Sequence, residues 1–164
     1  MSIRRAATTL GALSLGLVAL TACDKPTPLA TVTVDTRSVT GEAVDKCYAN
    51  GVKLPDVIFQ KCLATTAKEH HITVGLGDKV RVGVDPKVAK KGWLIANGSQ
   101  LVTPELLKDT TYWTLDSGAL FNQQDPQTGG TNTVKEVTLN IVESGDLTGR
   151  DTYGIWKIKL IRGN

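Results

Sequence analysis

From residue 29 onward the chain repeats a two-residue alternation in short segments, and this pattern excludes a mainly helical fold. Ala30, Val32 and Val34 alternate with Thr31, Thr33 and Asp35. Ile72, Val74 and Leu76 alternate with His71, Thr73 and Gly75, and Val80, Val82 and Val84 with Lys79, Arg81 and Gly83. Val137, Leu139 and Ile141 repeat the pattern, and Trp156, Ile158 and Leu160 close the chain with it. Successive side chains of a strand point to opposite faces, so each segment offers one apolar face and one polar face. Apolar sheet faces must be buried against one another, which predicts two packed sheets.

The connectors divide the strands. Gly77-Asp78 predicts a hairpin between the second and third segments. Asp85-Pro86 reads as an N-cap with Pro in the first helical turn, and Gly92 ends that helix. Trp93 to Ala96 is a strand closed by Asn97-Gly98. Thr103-Pro104-Glu105 predicts one helical turn through Leu106 and Leu107, and Thr110 to Leu115 is rich in strand formers. Phe121 to Thr133 is polar, contains Gly129-Gly130, and reads as a flexible loop. Ser38 to Ala67 carries weaker signals. A helix starting at Leu54-Pro55-Asp56 would place Ile58 with Cys62 and Phe59 with Leu63 on one face. The expected fold is all-β: an immunoglobulin-like antiparallel sandwich of about seven strands, with a partly helical insertion closed by a disulfide. Strand order is not legible, and a cupredoxin-like sandwich is the nearest rival.

The first 22 residues are an address. Arg4 and Arg5 give a positive start, and Leu10 to Leu20 is a short apolar run. A helical membrane span takes about 20 residues, so this run is too short for one. Ala6, Ala7 and Thr8 lack the bulky pair of a twin-arginine signal, which favours the general secretory route. Leu20-Thr21-Ala22-Cys23 resembles the lipobox of bacterial lipoproteins. That resemblance implies cleavage between Ala22 and Cys23, diacylglyceryl transfer to the Cys23 thiol, and anchoring in the lipid bilayer. Residues 1–22 are then signal peptide, 23–28 a lipidated Cys and a Pro-containing tether, and 29–164 a single domain. The expected location is the outer face of the plasma membrane.

Processing changes the composition. Removing 22 of 164 residues leaves 142, enough for one domain core. Arg4 and Arg5 leave with the signal, so 19 Lys+Arg become 17 against 16 Asp+Glu, a net charge of +1. The pI of 8.8 is partly owed to the signal, and no nucleic-acid footprint remains. Of the three cysteines, lipidation consumes Cys23. Cys47 and Cys62 can then close a disulfide outside the cytosol, with buried free thiols or a metal pair as alternatives.

No catalytic constellation is legible. A blue-copper site needs a thiolate, two imidazoles and commonly a thioether; the only Met is Met1, and adjacent His70 and His71 point apart on a strand. Ser38, Ser99, Ser117 and Ser144 lack a nucleophile-elbow context. Asn97-Gly98-Ser99 matches a glycosylation sequon and reads as a turn. The expectation is therefore a protein that is not an enzyme and has no cofactor. The candidate ligand or partner contacts are the aromatics Trp93, Tyr112 and Trp113, together with the loops after Asp85, after Leu101 and around Gln123 to Asn132. Tyr112 and Trp113 are neighbours, so one of them faces outward, where it can stack on a sugar or anchor a partner. Trp156 is read as core.

Several stretches together carry a wider resemblance. They are Ala22-Cys23-Asp24-Lys25-Pro26-Thr27-Pro28-Leu29-Ala30-Thr31-Val32-Thr33-Val34, the spaced Cys47 and Cys62, Val82-Gly83-Val84-Asp85-Pro86 leading to Gly92-Trp93, and Ile155-Trp156-Lys157-Ile158. In these the chain resembles a family of small actinobacterial lipoproteins, notably from Streptomyces, classed as a domain of unknown function. The resemblance implies export and anchoring and carries over no catalytic residue. Gly92-Trp93 is also similar to a loop of chagasin-type protease inhibitors, without the threonine-rich segment that precedes it there. The function expected is a non-enzymatic binding domain at the cell envelope, its partner an envelope protein or a cell-wall ligand. A cell-wall sugar or small-solute binder is the alternative; an envelope enzyme or protease inhibitor ranks below both.

Overall fold

The computed structural model describes residues 27–66, 70–98, 100–124 and 129–163. The expected signal peptide, Cys23 and most of the tether lie outside the described residues, as does Ser99 of the sequon. In chain order the elements are β1 (Ala30–Val34), β2 (Arg37–Gly41), α1 (Asp56–Ala64), β3 (His71–Val74), β4 (Lys79–Val84), α2 (Pro86–Lys91) and β5 (Trp93–Asn97). There follow β6 (Gln100–Leu101), β7 (Tyr112–Asp116), α3 (Ser117–Phe121), β8 (Asn122–Gln124), β9 (Thr131–Thr133), β10 (Glu136–Ser144) and β11 (Thr152–Arg162).

Two sheets face each other, ordered β2-β1-β4-β7 and β3-β11-β10-β5-β6, and β8 and β9 form a separate hairpin. Every strand pairing is antiparallel except β11 with β3, which run parallel. The all-β expectation holds, and so does the disulfide: Cys47 and Cys62 are bonded, with Cα atoms 5.9 Å apart. The alternation assigns faces as expected. Val32, Val34, Val80 and Val82 of one sheet and Ile95, Leu139, Ile141, Trp156 and Ile158 of the other are fully buried in one core.

The long strands β10 and β11 are buried on both faces, because the second sheet has its own outer cover. Leu94, Val142 and Ile155 point away from the main core onto the disulfide and onto Ile58, Phe59 and Leu63 of the α1 layer. Segment 44–54 fastens this layer along the edge of β11. Val44 N–H donates to Ile155 O, Ala49 N–H to Tyr153 O, and Leu54 N–H to Thr152 O, at 2.7–2.9 Å. Lys157, nearly buried on the same face, donates its ammonium to the Leu63 carbonyl (2.6 Å) and to the Thr65 carbonyl. These are carbonyls at the C-terminus of α1, which lack partners inside the helix.

Three expectations need correction, and one strand carried no expectation. β3 and β4 are not a hairpin. The Gly75–Asp78 turn carries the chain between sheets, so the two apolar faces meet across the core rather than lying side by side. Thr103–Leu107 makes no helical turn. Leu107 instead pairs with Trp93 through N–H···O bonds of 2.9 and 3.0 Å, and the extended pairing outweighs the local Thr-Pro signal. Phe121–Thr133 contains structure: Phe121 ends α3, and β8 pairs with β9; residues 125–128 lie outside the description. β2 had no sequence assignment. It is an edge strand with one buried residue, joined to β1 through Asp35-Thr36.

Candidate functional site

Three lysines that form no ion pair among the described residues lie at one end of the sandwich, where α2 covers the gap between the sheets. Asp85 occupies the expected N-cap position with Pro86 next, but its carboxylate does not cap the helix. Asp85 Oδ2 accepts the Leu29 N–H (2.9 Å), and the Asp85 N–H donates to Leu29 O (3.1 Å). The start of α2 is thus tied to the start of β1. Val88 and Ala89 are buried beneath the helix, which leaves Lys87, Lys90 and Lys91 on its outer side. Gly92 ends it at φ +115°, a region that favours glycine; a Cβ there would sit 2.8 Å from Ser144 O.

The lysines engage neutral groups. Lys87 Nζ donates to Asn50 Oδ1 (2.7 Å) and lies 5.7 Å from the Tyr48 ring centroid. Lys91 Nζ lies 3.7 Å from the Tyr153 centroid and donates to Gly51 O (3.2 Å). Lys90 has no partner among the described residues. Together with Gly51, Pro86 and Glu143 they line a pocket of about 480 Å³. Through Lys87 it adjoins a wider depression of about 970 Å³ lined by Pro28, Leu29, Lys46 and Tyr48 and by the acids Glu42, Asp45 and Asp85.

Glu143 is the unusual member. In β10 it shares the inward parity of Val137, Leu139 and Ile141, so it points between the sheets where α2 closes them. It is 2% exposed, and its Oε2 has no hydrogen-bond partner among the described residues. Burial pushes its carboxyl above the usual range, while Lys91 and Lys87 pull it back down.

The three candidate contact aromatics are dispersed. Trp93 is completely buried and donates its indole N–H to Thr110 O (2.6 Å), which corrects its reading as a surface contact. Gly92 is buried beside it, so the pair forms no exposed inhibitor-like loop. Trp113 is half-buried against the core; Tyr112, 58% exposed, is the outward member of its pair, with the Arg81 guanidinium 5.9 Å from its centroid. Beside them, Lys79 and Asp116 form an ion pair. Trp156 is fully buried, as expected, and donates to Pro28 O at 2.7 Å across 128 residues. Its ring needs the bare Cα of Gly154, where a Cβ would stand 2.8 Å away.

Sequence reasoning points to the loop after Asp85 as a contact but singles out neither Glu143 nor the individual α2 lysines. The signal for Glu143 was its register: a charge in the inward position two residues after Ile141. Lysines on a short helix carry no such signal. Among the described residues, no group of three or more His, Cys, Asp or Glu gathers as a metal site, and no helix is long and apolar enough to cross a membrane. No protein-family model, curated protein or solved structure matches the chain.

Proposed function

We propose that the protein is an extracytoplasmic lipoprotein of the kind its N-terminal motif resembles, anchored by diacylglyceryl-Cys23 and serving as a non-enzymatic binding domain at the cell envelope. The observation that carries this reading is the Cys47–Cys62 bond. It suits an oxidising compartment and leaves Cys23, at the end of the lipobox, as the one cysteine without a disulfide partner. Two acyl chains hold a protein stably on a bilayer where one does not. The test is metabolic labelling with palmitate. Wild type takes up label and Cys23→Ser does not; equal labelling of the two sinks the reading.

A cell-wall sugar or small-solute binder is the second reading, favoured by Tyr112 lying exposed beside Arg81. Its assay is tryptophan fluorescence, since Trp113 adjoins Tyr112 in β7. Titration with soluble wall fragments shifts the emission if this face binds them, and Tyr112→Ala removes the shift. An unchanged spectrum with every fragment leaves the protein-partner reading.

A further inference from the structure

Three features converge at the α2 end. The first is the root of the tether. Pro28 is buried, its carbonyl is held by the Trp156 indole, and it lies five residues after Cys23. An extended chain covers at most about 3.6 Å per residue, so Cys23 stays within about 18 Å of Pro28. Leu29 is bonded in both directions to Asp85, and α2 spans only six residues, about 9 Å. With Cys23 inserted in a bilayer, the lysine side of α2 lies within reach of the headgroup layer.

The second feature is charge. Lys87, Lys90 and Lys91 form no ion pair among the described residues, and no acid lies between Pro86 and Gly92. The third is the buried, unpartnered Glu143 Oε2 in the pocket the lysines line. A purely basic face takes any anion. A carboxylate at its floor repels a bare phosphate oxygen and accepts a hydrogen bond from a hydroxyl, so it favours an anion that brings a donor along.

We propose that this pocket receives the headgroup of an anionic phospholipid that also carries hydroxyls, such as a glycerol or inositol headgroup. The lysine ammonium groups meet the phosphate, and Glu143 accepts a headgroup hydroxyl. Pro86 and the lysine stems pack on the headgroup carbons. This rests on the anchor reading above and adds an orientation to it. The α2 end lies on the bilayer, and the opposite end, with the β8–β9 hairpin and the exposed Leu76, is turned away from it.

The test uses the full lipidated chain, purified from membranes and reconstituted into three phosphatidylcholine vesicles: one with added phosphatidylglycerol, one with phosphatidylmethanol (equal charge, no hydroxyl), and one without anionic lipid. Flotation reads the anchor. Acylation rates of Lys87, Lys90 and Lys91, relative to exposed Lys135 at the opposite end, read the pocket. The chain is expected to float with all three, with the α2 lysines acylated several-fold more slowly on phosphatidylglycerol alone. Glu143→Leu is expected to give equal rates on phosphatidylglycerol and phosphatidylmethanol while still floating. Floating with equal lysine protection by both anionic lipids, or with none, overturns the headgroup site and leaves the anchor standing. Failure to float removes the anchor and the proposal with it.

Discussion

Trp156→Phe tests how the segment that leads into β1 is rooted. The indole N–H reaches Pro28 O at 2.7 Å within the core. Phe removes both the donor and the outer six-membered-ring atoms that lie over Gly154. A buried carbonyl left without its donor costs about 1–3 kcal/mol. The lost ring atoms add on the order of 1 kcal/mol, a fraction of the ~3–5 kcal/mol for truncating such a residue to Ala. The expected loss is therefore about 2–4 kcal/mol. For a domain of this size that lowers Tm by roughly 6–15 °C. Urea unfolding followed by far-UV circular dichroism is the suitable assay, because the substitution alters tryptophan emission. Trp113→Phe is the control, since Trp113 is only half-buried. A loss below about 0.5 kcal/mol, or one equal to the Trp113→Phe loss, refutes the idea that this bond fixes Pro28 at the start of β1.

Other perturbations read other parts of the structure. Replacing Cys47 and Cys62 together by Ala opens a loop of 15 residues, and chain entropy sets the loss at about 3 kcal/mol; a urea midpoint unmoved by the double substitution contradicts this. Gly92→Ala puts a Cβ at φ +115° and 2.8 Å from Ser144 O, so a loss of at least about 1–3 kcal/mol is expected in the same assay. Burial raises the folded-state pKa of Glu143 above its unfolded value. Its contribution is therefore fully present below the unfolded pKa and is lost as pH rises through the folded pKa. Glu143→Gln removes that fall, so its stability relative to wild type is expected to rise as pH climbs above the ordinary carboxylate range. A difference independent of pH rules this out.

Local alternation reported faces well and partners poorly. Val32, Val82, Leu139 and Ile158 were placed on the core side correctly, because parity alone decides which side chains share a face. Whether Ile72–Val74 pairs with Val80–Val84 depends on contacts across the sandwich, and the Gly77-Asp78 turn serves a sheet-changing connection as well as a hairpin. β2 escaped because an edge strand with an exposed face and one buried residue has no apolar period to detect. At Thr103–Leu107 the capping signal was real but local, and the Leu107–Trp93 pairing replaced it. The α2 site follows the same rule. Glu143 was legible as an anomaly of register, whereas its closeness to Lys87 and Lys91 depends on β10 and α2 meeting at one end of the sandwich.

The most direct test of the central claim is intact mass spectrometry of the mature protein extracted from membranes. The expected species begins at Cys23, carries a diacylglyceryl adduct there, and retains a reducible Cys47–Cys62 bond. A chain beginning at any other residue, or one beginning at Cys23 with an unmodified thiol, contradicts the account.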